Sequence, residues 1–357
     1  MKHNQNNASC RFFVEPEEIN KNSDREFLRY CLGATLYMPG TKRIVDKIIN
    51  NDLSGLTSLV MCFEDALREE DLPDAVVNVL AQLSGVFEAV ESHRIAIDDV
   101  PLIFLRVRSM KQFKGFAAKL TPEISSVLTG FVFPKFNAAI GREYFEYLID
   151  LNQKLGARFY GMPILESKEI VFKETRMPEM EKLTRLFQDY SDMVLNIRVG
   201  GTDVSSLFSL RRGIDQTIYD ILPVRDFLSD VINNFSRMSA GFVISGPVWE
   251  YYSSEENTLR HPVKELGRMH QLLHSRTPLI NPAVDGLLRE VLLDLANGFV
   301  GKTIIHPSHT RFVNAMQAVT REAYEDAVQI ERASGGIIKS PHKNKMNEVN
   351  PHKNWAR

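Results

Sequence analysis

Cysteine is scarce in this chain of 357 residues, and long apolar runs are missing. The three cysteines, Cys10, Cys31 and Cys62, are odd in number and show no CxxC spacing. A disulfide framework or a zinc site is therefore not expected, and a reducing cytoplasm is the predicted location. No apolar stretch approaches the length of a membrane-spanning helix, and the polar N-terminus has no apolar segment typical of a signal peptide. The sequence thus predicts no membrane partner.

Charge of one sign is not in excess either. The formal net charge is −2, so no overall positive field favours nucleic acid or an anionic membrane as a partner. What the chain does have is 44% hydrophobic and 25% charged residues, the balance of a globular protein with a sizeable core. A small-molecule substrate is therefore the expected partner.

Short β-rich runs alternate with longer helical patterns along most of the chain. This alternation predicts an α/β fold, either a (β/α)8 TIM barrel or a doubly wound open sheet. One long helix is predicted over Thr310–Ala333 from its spacing of apolar residues. The eight predicted strands are Gly33–Met38, Ser58–Phe63, Leu102–Val107, Gly130–Phe133, Phe159–Leu165, Met193–Val199, Gly241–Ile244 and Lys302–Ile305.

The polar residues at the strand ends favour the barrel. Nearly every predicted strand ends in a functional group or a turn-forming residue, whereas an open sheet concentrates such residues at one switch point. The predicted organisation is a flexible segment at 1–25, a barrel at 26–334 and a C-terminal helical or lid-like extension at 335–357. The last segment is rich in Lys, His and Asn and contains few apolar residues.

Two carboxylates follow neighbouring strands of the predicted barrel. Glu166 ends one strand, and Asp203 follows the Gly200-Gly201 pair about one strand–helix repeat later. Two such acids supply oxygen ligands suited to Mg²⁺, with waters and substrate oxygens completing the shell. A glycine pair also lets a ligand approach the backbone closely. The alternative is structural, because strand-end acids also cap helices and pair with lysines.

Arg106 emerges from an apolar strand and needs an anionic partner, because an unpaired buried guanidinium is costly. It can bind a substrate carboxylate through two parallel hydrogen bonds, or form an internal salt bridge with Glu64 or Asp65. Both arrangements can hold at once. Lys135, after another strand, could serve as a Schiff-base amine, but an anion-neutralising role is favoured.

Seven short motifs, in order along the chain, resemble the HpcH/HpaI aldolase and citrate lyase beta-subunit superfamily. The resemblance extends from about Gly33 to Ser308 and involves most of the predicted strands. The motifs are Tyr37-Met38-Pro39-Gly40, Phe63-Glu64-Asp65-Ala66, Leu105-Arg106-Val107, Phe133-Pro134-Lys135, Leu165-Glu166-Ser167, Gly200 to Asp203, and Gly301 to Ser308.

This resemblance implies a Mg²⁺-dependent carbon–carbon lyase with a TIM-barrel fold. By resemblance, the metal ligands are Glu166 and Asp203, Arg106 binds the substrate carboxylate, and Glu64 and Asp65 support the metal waters and the arginine. The expected reaction cleaves a 3-hydroxy acid or its CoA thioester into a 2-oxo acid and an acyl fragment. Further residues expected around the substrate are Pro134, Lys135, Gly201 and Pro247.

The resemblance also implies a homo-oligomer, a trimer or a hexamer. The C-terminal segment resembles a lid in which an acid acts in a neighbouring subunit's site, and Glu348 is the corresponding candidate for general acid/base catalysis. A purely structural tail is the alternative at this position.

Departures from the family's motifs concern the substrate. Ser167-Lys168-Glu169 replaces the usual small residues, and Arg108 and the pair Arg211-Arg212 add positive charge. The added charge predicts a more anionic substrate, for example one bearing phosphate. These variations resemble a branch associated with tellurite-resistance and stress gene clusters. An aldolase acting on a free phosphorylated or carboxylated substrate and a non-catalytic ligand-binding member of a stress-response complex remain alternatives.

Overall fold

The computed structural model describes residues 1–3, 11–53, 55–65, 67–254, 259–260 and 269–357, apart from the side chain of His270. The chain divides into two compact units. The first unit contains Met1–Cys10 and Pro16–Met316, and the second contains Arg11–Glu15 and Gln317–Arg357.

Eight parallel strands form the first unit's sheet, in the order β7-β6-β5-β4-β3-β2-β1-β8. Gly246, directly after β7, bridges Lys302 of β8, so the strands form a nearly closed barrel. The predicted TIM barrel is confirmed, and the open sheet is excluded. The strands are β1 Ala34–Pro39, β2 Ser58–Cys62, β3 Leu102–Arg106, β4 Leu128–Phe133, β5 Tyr160–Leu165, β6 Ile197–Val199, β7 Ile244–Ser245 and β8 Lys302–Ile304.

Two strands, β6 and β7, begin three or four residues later than the sequence predicts. Before β6, the Met193 N–H donates to the Tyr190 carbonyl, so Met193 still belongs to the turn that follows a helix. Before β7, Gly241 has φ +70°, and the Phe242 N–H donates to the Phe235 carbonyl. Val194 nevertheless already bridges Gly161 of β5 in parallel, so only the start of β7 is delayed by the hydrogen bonds that end the preceding helix.

Helices follow most of the strands and cover the outside of the barrel. Some begin at side chains that accept backbone N–H groups, as Asn137 and Asn281 do for α6 and α12. The helices of this unit are α1 Arg25–Leu28, α2 Val45–Ile49, α3 Leu72–Glu91, α4 Met110–Ala117, α5 Pro122–Ser125, α6 Ala138–Leu155, α7 Lys168–Val171, α8 Lys173–Asp189, α9 Gly201–Ser206, α10 Leu222–Phe235, α11 Met269–His274, α12 Pro282–Ala296 and α13 Thr310–Met316.

Successive side chains along each strand point to opposite faces of the sheet, which separates an inner from an outer core. Apolar side chains such as Phe104 and Met162 form an inner cluster that also contains Met1, Ile19 and Leu28. Met1 and Ile19 are 3% and 5% exposed, so parts of the N-terminal segment pack in the core. The division into a flexible segment at 1–25, a barrel at 26–334 and a tail at 335–357 stays a prediction.

The second unit contains two helices and a two-stranded antiparallel hairpin. Its elements are α14 Arg321–Arg332, β9 Ile337–Lys339, β10 Met346–Glu348 and α15 Val349–Ala356. The single helix predicted over Thr310–Ala333 is wrong, because the Thr320 side chain accepts from the Ala323 N–H and starts α14 as a separate helix. Among the residues described, no helix is long and apolar enough to cross a membrane.

Candidate active site

A cavity of about 410 Å³ opens at the carboxyl ends of the barrel strands. Its wall combines apolar side chains with five charged ones, Asp65, Arg106, Glu166, Arg198 and Asp203. These come from the ends of β2, β3, β5 and β6, or directly after them. In TIM barrels, the active site lies at the carboxyl ends of the strands.

Arg106 ends β3 and lies at the centre of the charged cluster. Its Nη2 atom contacts a Glu64 oxygen, and lies 3.2 Å from Asp65 Oδ2 and 3.3 Å from Glu166 Oε1. Burial alone lowers the pKa of Arg106, but the carboxylate of Glu166 and the neighbouring anions hold it above its ordinary value. Nε is buried and has no hydrogen-bond partner among the described residues.

Glu166 directly follows β5 and is 4% exposed. Its Oε1 accepts from the Lys135 backbone N–H at 2.9 Å. Burial raises the pKa of Glu166 to about 8. The positive charge of Arg106 acts to lower this pKa, and the negative charge of Asp203 acts to raise it. A bound cation would favour the ionised carboxylate over the protonated one.

Glu64 and Asp65 form an acidic pair bridged by Lys135. Lys135 Nζ lies 2.6 Å from Glu64 Oε1 and 3.2 Å from Asp65 Oδ1. Burial raises the pKa of Glu64, whereas the pKa of Asp65 is lowered, because its hydrogen bond to Glu64 and two nearby cations outweigh the effect of its burial. The same acids raise the pKa of Lys135 against the effect of burial, which keeps the amine charged. This pairing favours the anion-neutralising role over a Schiff base.

Asp203 lies in the first turn of α9, which starts directly after Gly200. A Cβ atom added at Gly200 would overlap the Glu166 carboxylate, so only glycine fits there. The absence of a side chain at Gly200 thus lets the turn that carries Asp203 pass against Glu166. The charge of Asp203 acts on the pKa of Glu166, which indicates that the two carboxylates are near neighbours.

The two carboxylates, Glu166 and Asp203, fit a hard cation that keeps water or substrate oxygens at most of its coordination positions. Among the described residues, no group of three or more His, Cys, Asp or Glu side chains could hold a metal ion. Mg²⁺ is often bound through one or two carboxylates, with waters and substrate oxygens supplying the rest of its octahedron. Glu166 and Asp203 meet that requirement, since both line an open cavity.

The remaining predicted site residues are Pro134, Gly201, Pro247 and Glu348. Pro134 is buried after β4, and the Pro247 ring would lie 2.9 Å from a Cβ added at Gly201. Glu348 is an exposed residue at the end of β10 in the second unit. The roles predicted for these residues stay predictions.

Two features of the cavity escaped the sequence analysis. Arg198 of β6 lines the cavity. The sequence prediction does not include it, because that prediction uses residues at strand ends and Arg198 lies within the strand. The argument used for Arg106, a charge inside an apolar run, applies to it equally. Conversely, Arg212 contributes no free charge to the cavity, because it forms ion pairs with Glu250 and Glu290. Arg212 is therefore not one of the added cations that predict an anionic substrate.

Comparisons with known proteins agree with this geometry. The family model for C–C bond lyases of the TIM-barrel fold matches residues 26–357. No curated protein sequence matches the chain.

Solved structures share the fold at low sequence identity. A citrate lyase from Burkholderia xenovorans LB400 is 11% identical, with a TM-score of 0.64, over 91% of this chain and 89% of that one. CitE from Mycobacterium tuberculosis, in complex with magnesium, acetoacetate and coenzyme A, is 15% identical, with a TM-score of 0.53, over 92% and 96%. RipC from Yersinia pestis is 14% identical, with a TM-score of 0.51, over 82% and 98%. The chain thus belongs to the family of C–C bond lyases of the TIM-barrel fold.

Proposed function

We propose that this lyase depends on Mg²⁺ and cleaves a 3-hydroxy acid, or its CoA thioester, into a 2-oxo acid and an acyl fragment. One observation carries the proposal: Glu166, Asp203 and Arg106 line the same cavity at the barrel's carboxyl end. Two acids for a metal beside a cation for a carboxylate suit a substrate in which one carbon carries both a hydroxyl and a carboxylate, so that cleavage leaves a 2-oxo acid.

The metal has a defined task in this arrangement. Bound by Glu166 and Asp203, Mg²⁺ would act as a Lewis acid toward the oxygens of the hydroxy acid. Magnesium and coenzyme A in the CitE structure support this choice of metal and a thioester substrate.

Arg106 orients the substrate. Its Nη2 atom is held by carboxylates, so the guanidinium cannot rotate freely, and its buried Nε atom has no other partner. A substrate carboxylate can accept hydrogen bonds from the remaining edge of the guanidinium. The positive charge also stabilises negative charge that develops on the substrate during bond cleavage.

Proton transfer is assigned to the Glu64–Asp65 pair. Asp65 reaches the cavity, whereas Glu64 is buried and has the raised pKa. A proton leaving the substrate hydroxyl can therefore be accepted by the pair, with Lys135 balancing its charge. Cleavage of the C–C bond then gives the 2-oxo acid and an enolate, which takes up a proton. Glu348 of a neighbouring subunit in a homo-oligomer is the proposed donor for that last step.

The proposal is tested by turnover. Purified protein is incubated with Mg²⁺ or with EDTA and a panel of 3-hydroxyacyl-CoA thioesters and free 3-hydroxy acids, and 2-oxo acid release is measured. Each panel member carries a carboxylate on the hydroxyl-bearing carbon, because only such a substrate can release a 2-oxo acid. We expect cleavage of at least one thioester or acid, lost with EDTA and in Arg106→Met. The exposed variant Arg142→Met serves as the charge-matched control, with unchanged turnover. Ligand binding without cleavage or condensation of any panel member would instead support the non-catalytic alternative.

A further inference from the structure

Arg198 is a buried arginine that has no acidic partner in the part of the chain that the structure describes. Its side chain belongs to β6, points into the barrel and lines the cavity, and the residue is 1% exposed. Nη1 donates to Thr35 Oγ1 at 3.3 Å and Nη2 to Thr303 Oγ1 at 2.6 Å. Nε is buried and has no hydrogen-bond partner within the described ranges. Every recorded contact of this cation is thus with a neutral group.

The other buried arginines of the described chain are arranged differently. Arg106, Arg176 and Arg212 each contact at least one carboxylate, with Arg176 Nη1 2.7 Å from Asp230 Oδ2. No acidic side chain among the residues described forms an ion pair with Arg198. Burial lowers the pKa of Arg198, which the Tyr37 side chain opposes. The charge nevertheless persists at neutral pH, because guanidinium groups are effectively always protonated in proteins.

Structural cross-linking does not account for the charge. Hydrogen bonds to Thr35 and Thr303 tie β6 to β1 and β8, and neutral side chains can supply the same bonds. An isolated buried cation costs several kcal/mol, which makes arginine a poor choice for that purpose alone. The Tyr37 ring, 5.4 Å from the guanidinium carbon, offers only a weak cation–π contact. The Tyr37 hydroxyl is itself buried beside the same cavity, and no described residue is its hydrogen-bond partner.

We propose that Arg198 binds a second anionic group of the substrate, so that the enzyme acts on compact acids carrying two anionic groups. One carboxylate is held at Arg106, and the second group, a carboxylate or a phosphate, is held at Arg198 with the Tyr37 hydroxyl as an additional donor. The cavity of about 410 Å³ has room for such a molecule. This specificity rests on the proposed function, because the same cavity must hold the reacting hydroxy or oxo acid.

The test measures binding rather than turnover, by calorimetry on the full chain with Mg²⁺. Three probes are compared: pyruvate, which has one carboxylate, 2-oxoglutarate, which has two, and phosphonopyruvate, which has a carboxylate and a phosphonate. We expect at least one of the two doubly anionic probes to bind about tenfold or more tighter than pyruvate. Whichever of them binds more tightly identifies the second group as carboxylate or phosphate-like.

Variants assign that preference to Arg198. We expect Arg198→Met to bind all three probes with the affinity that wild type shows for pyruvate, and Arg198→Lys to keep part of the preference. Arg142→Met removes an exposed positive charge of α6 and serves as the matched control, with the preference unchanged. Denaturant unfolding separates a purely structural role, which predicts that Arg198→Met loses stability, from the ligand role, which predicts equal or greater stability.

Two outcomes overturn the assignment: wild type binds pyruvate as tightly as both doubly anionic probes, or the preference survives in Arg198→Met. Repeating the titrations in EDTA separates the assignment from the proposed function. Preference for two anionic groups without any effect of Mg²⁺ contradicts the metal-dependent function and supports the role of Arg198. If Mg²⁺ changes the binding of all three probes and no doubly anionic probe is preferred, the result supports the metal-dependent function and contradicts the role of Arg198.

Discussion

Two clusters of buried charge in this barrel are built from similar residues but are completed differently. At the cavity, Arg106 meets three carboxylates, while Arg198 and Tyr37 have polar atoms without partners among the residues that the structure describes. Behind β8, Lys302 Nζ lies 2.9 Å from Glu290 Oε1 and 2.7 Å from Asp294 Oδ2. We call this second group the Lys302 cluster; it also contains Arg212, Tyr219 and Glu250.

In the Lys302 cluster, the described polar atoms find partners within the protein. Arg212 contacts Glu250 and Glu290, and the Tyr219 hydroxyl donates to Asp294 Oδ1 at 2.8 Å. Lys302 and Glu290 are both 0% exposed. A completed cluster holds the fold together, whereas an incomplete one beside a cavity indicates a ligand. The comparison therefore predicts that substitutions in the two clusters change different quantities.

The largest effect on stability is expected at Lys302. Lys302→Met leaves Glu290 and Asp294 buried without their shared cation, and the free energy of unfolding should fall by about 3–5 kcal/mol. Urea denaturation measures the change. The exposed lysine of a surface pair gives the matched control, because Lys173→Met should change the same quantity by less than about 1 kcal/mol. A similar small loss for both variants would remove the distinction between the clusters.

The second effect concerns pH at the cavity. The pKa of Glu166 is raised from 4.5 to about 8 by burial, so in the metal-free protein its contribution to stability is present below about pH 4.5 and is lost as the pH rises through about 8. Because Mg²⁺ binds the ionised carboxylate, its affinity should increase about tenfold per pH unit up to about pH 8 and then level off. Calorimetric titrations at pH 6, 7, 8 and 9 measure this. An affinity that stays constant from pH 6 to 8 would contradict the assignment.

The smallest effect compares two tyrosines. Tyr219→Phe removes a hydrogen bond to a buried carboxylate and should lower the free energy of unfolding by about 2 kcal/mol. Tyr37→Phe removes a hydroxyl that has no partner and should leave that free energy unchanged or raise it. Chemical denaturation of the two variants under the same conditions measures both changes. Equal losses would mean that the Tyr37 hydroxyl is satisfied within the protein.

The sequence predicts much of the barrel and part of the cavity, for physical reasons. Apolar strands alternating with helices identify the barrel, and parallel strands bring their carboxyl ends to one face, so Arg106, Glu166 and Asp203 are expected to meet. Arg198 was missed because only strand ends were considered. The Lys302 cluster joins side chains from β8, from α12 and from the segments after α9 and β7, and no local pattern indicates those contacts.

The limits of strands and helices depend on short local signals. The start of β7 depends on how α10 ends, and the break before α14 depends on a single cap at Thr320. Both signals are short and compete with an apolar pattern that continues across them. The roles of Glu64, Asp65 and Glu348 stay predictions, because position alone does not identify a proton donor or acceptor.

The central claim is that Glu166 and Asp203 form a Mg²⁺ site at the cavity. Calorimetric titration of Mg²⁺ into the full chain and into the Glu166→Gln/Asp203→Asn double variant at pH 8 tests it most directly. We predict one ion per chain for the wild type, and a loss of affinity of at least about a hundredfold in a double variant that is no less stable to urea. A double variant that binds Mg²⁺ as tightly as the wild type would contradict the account.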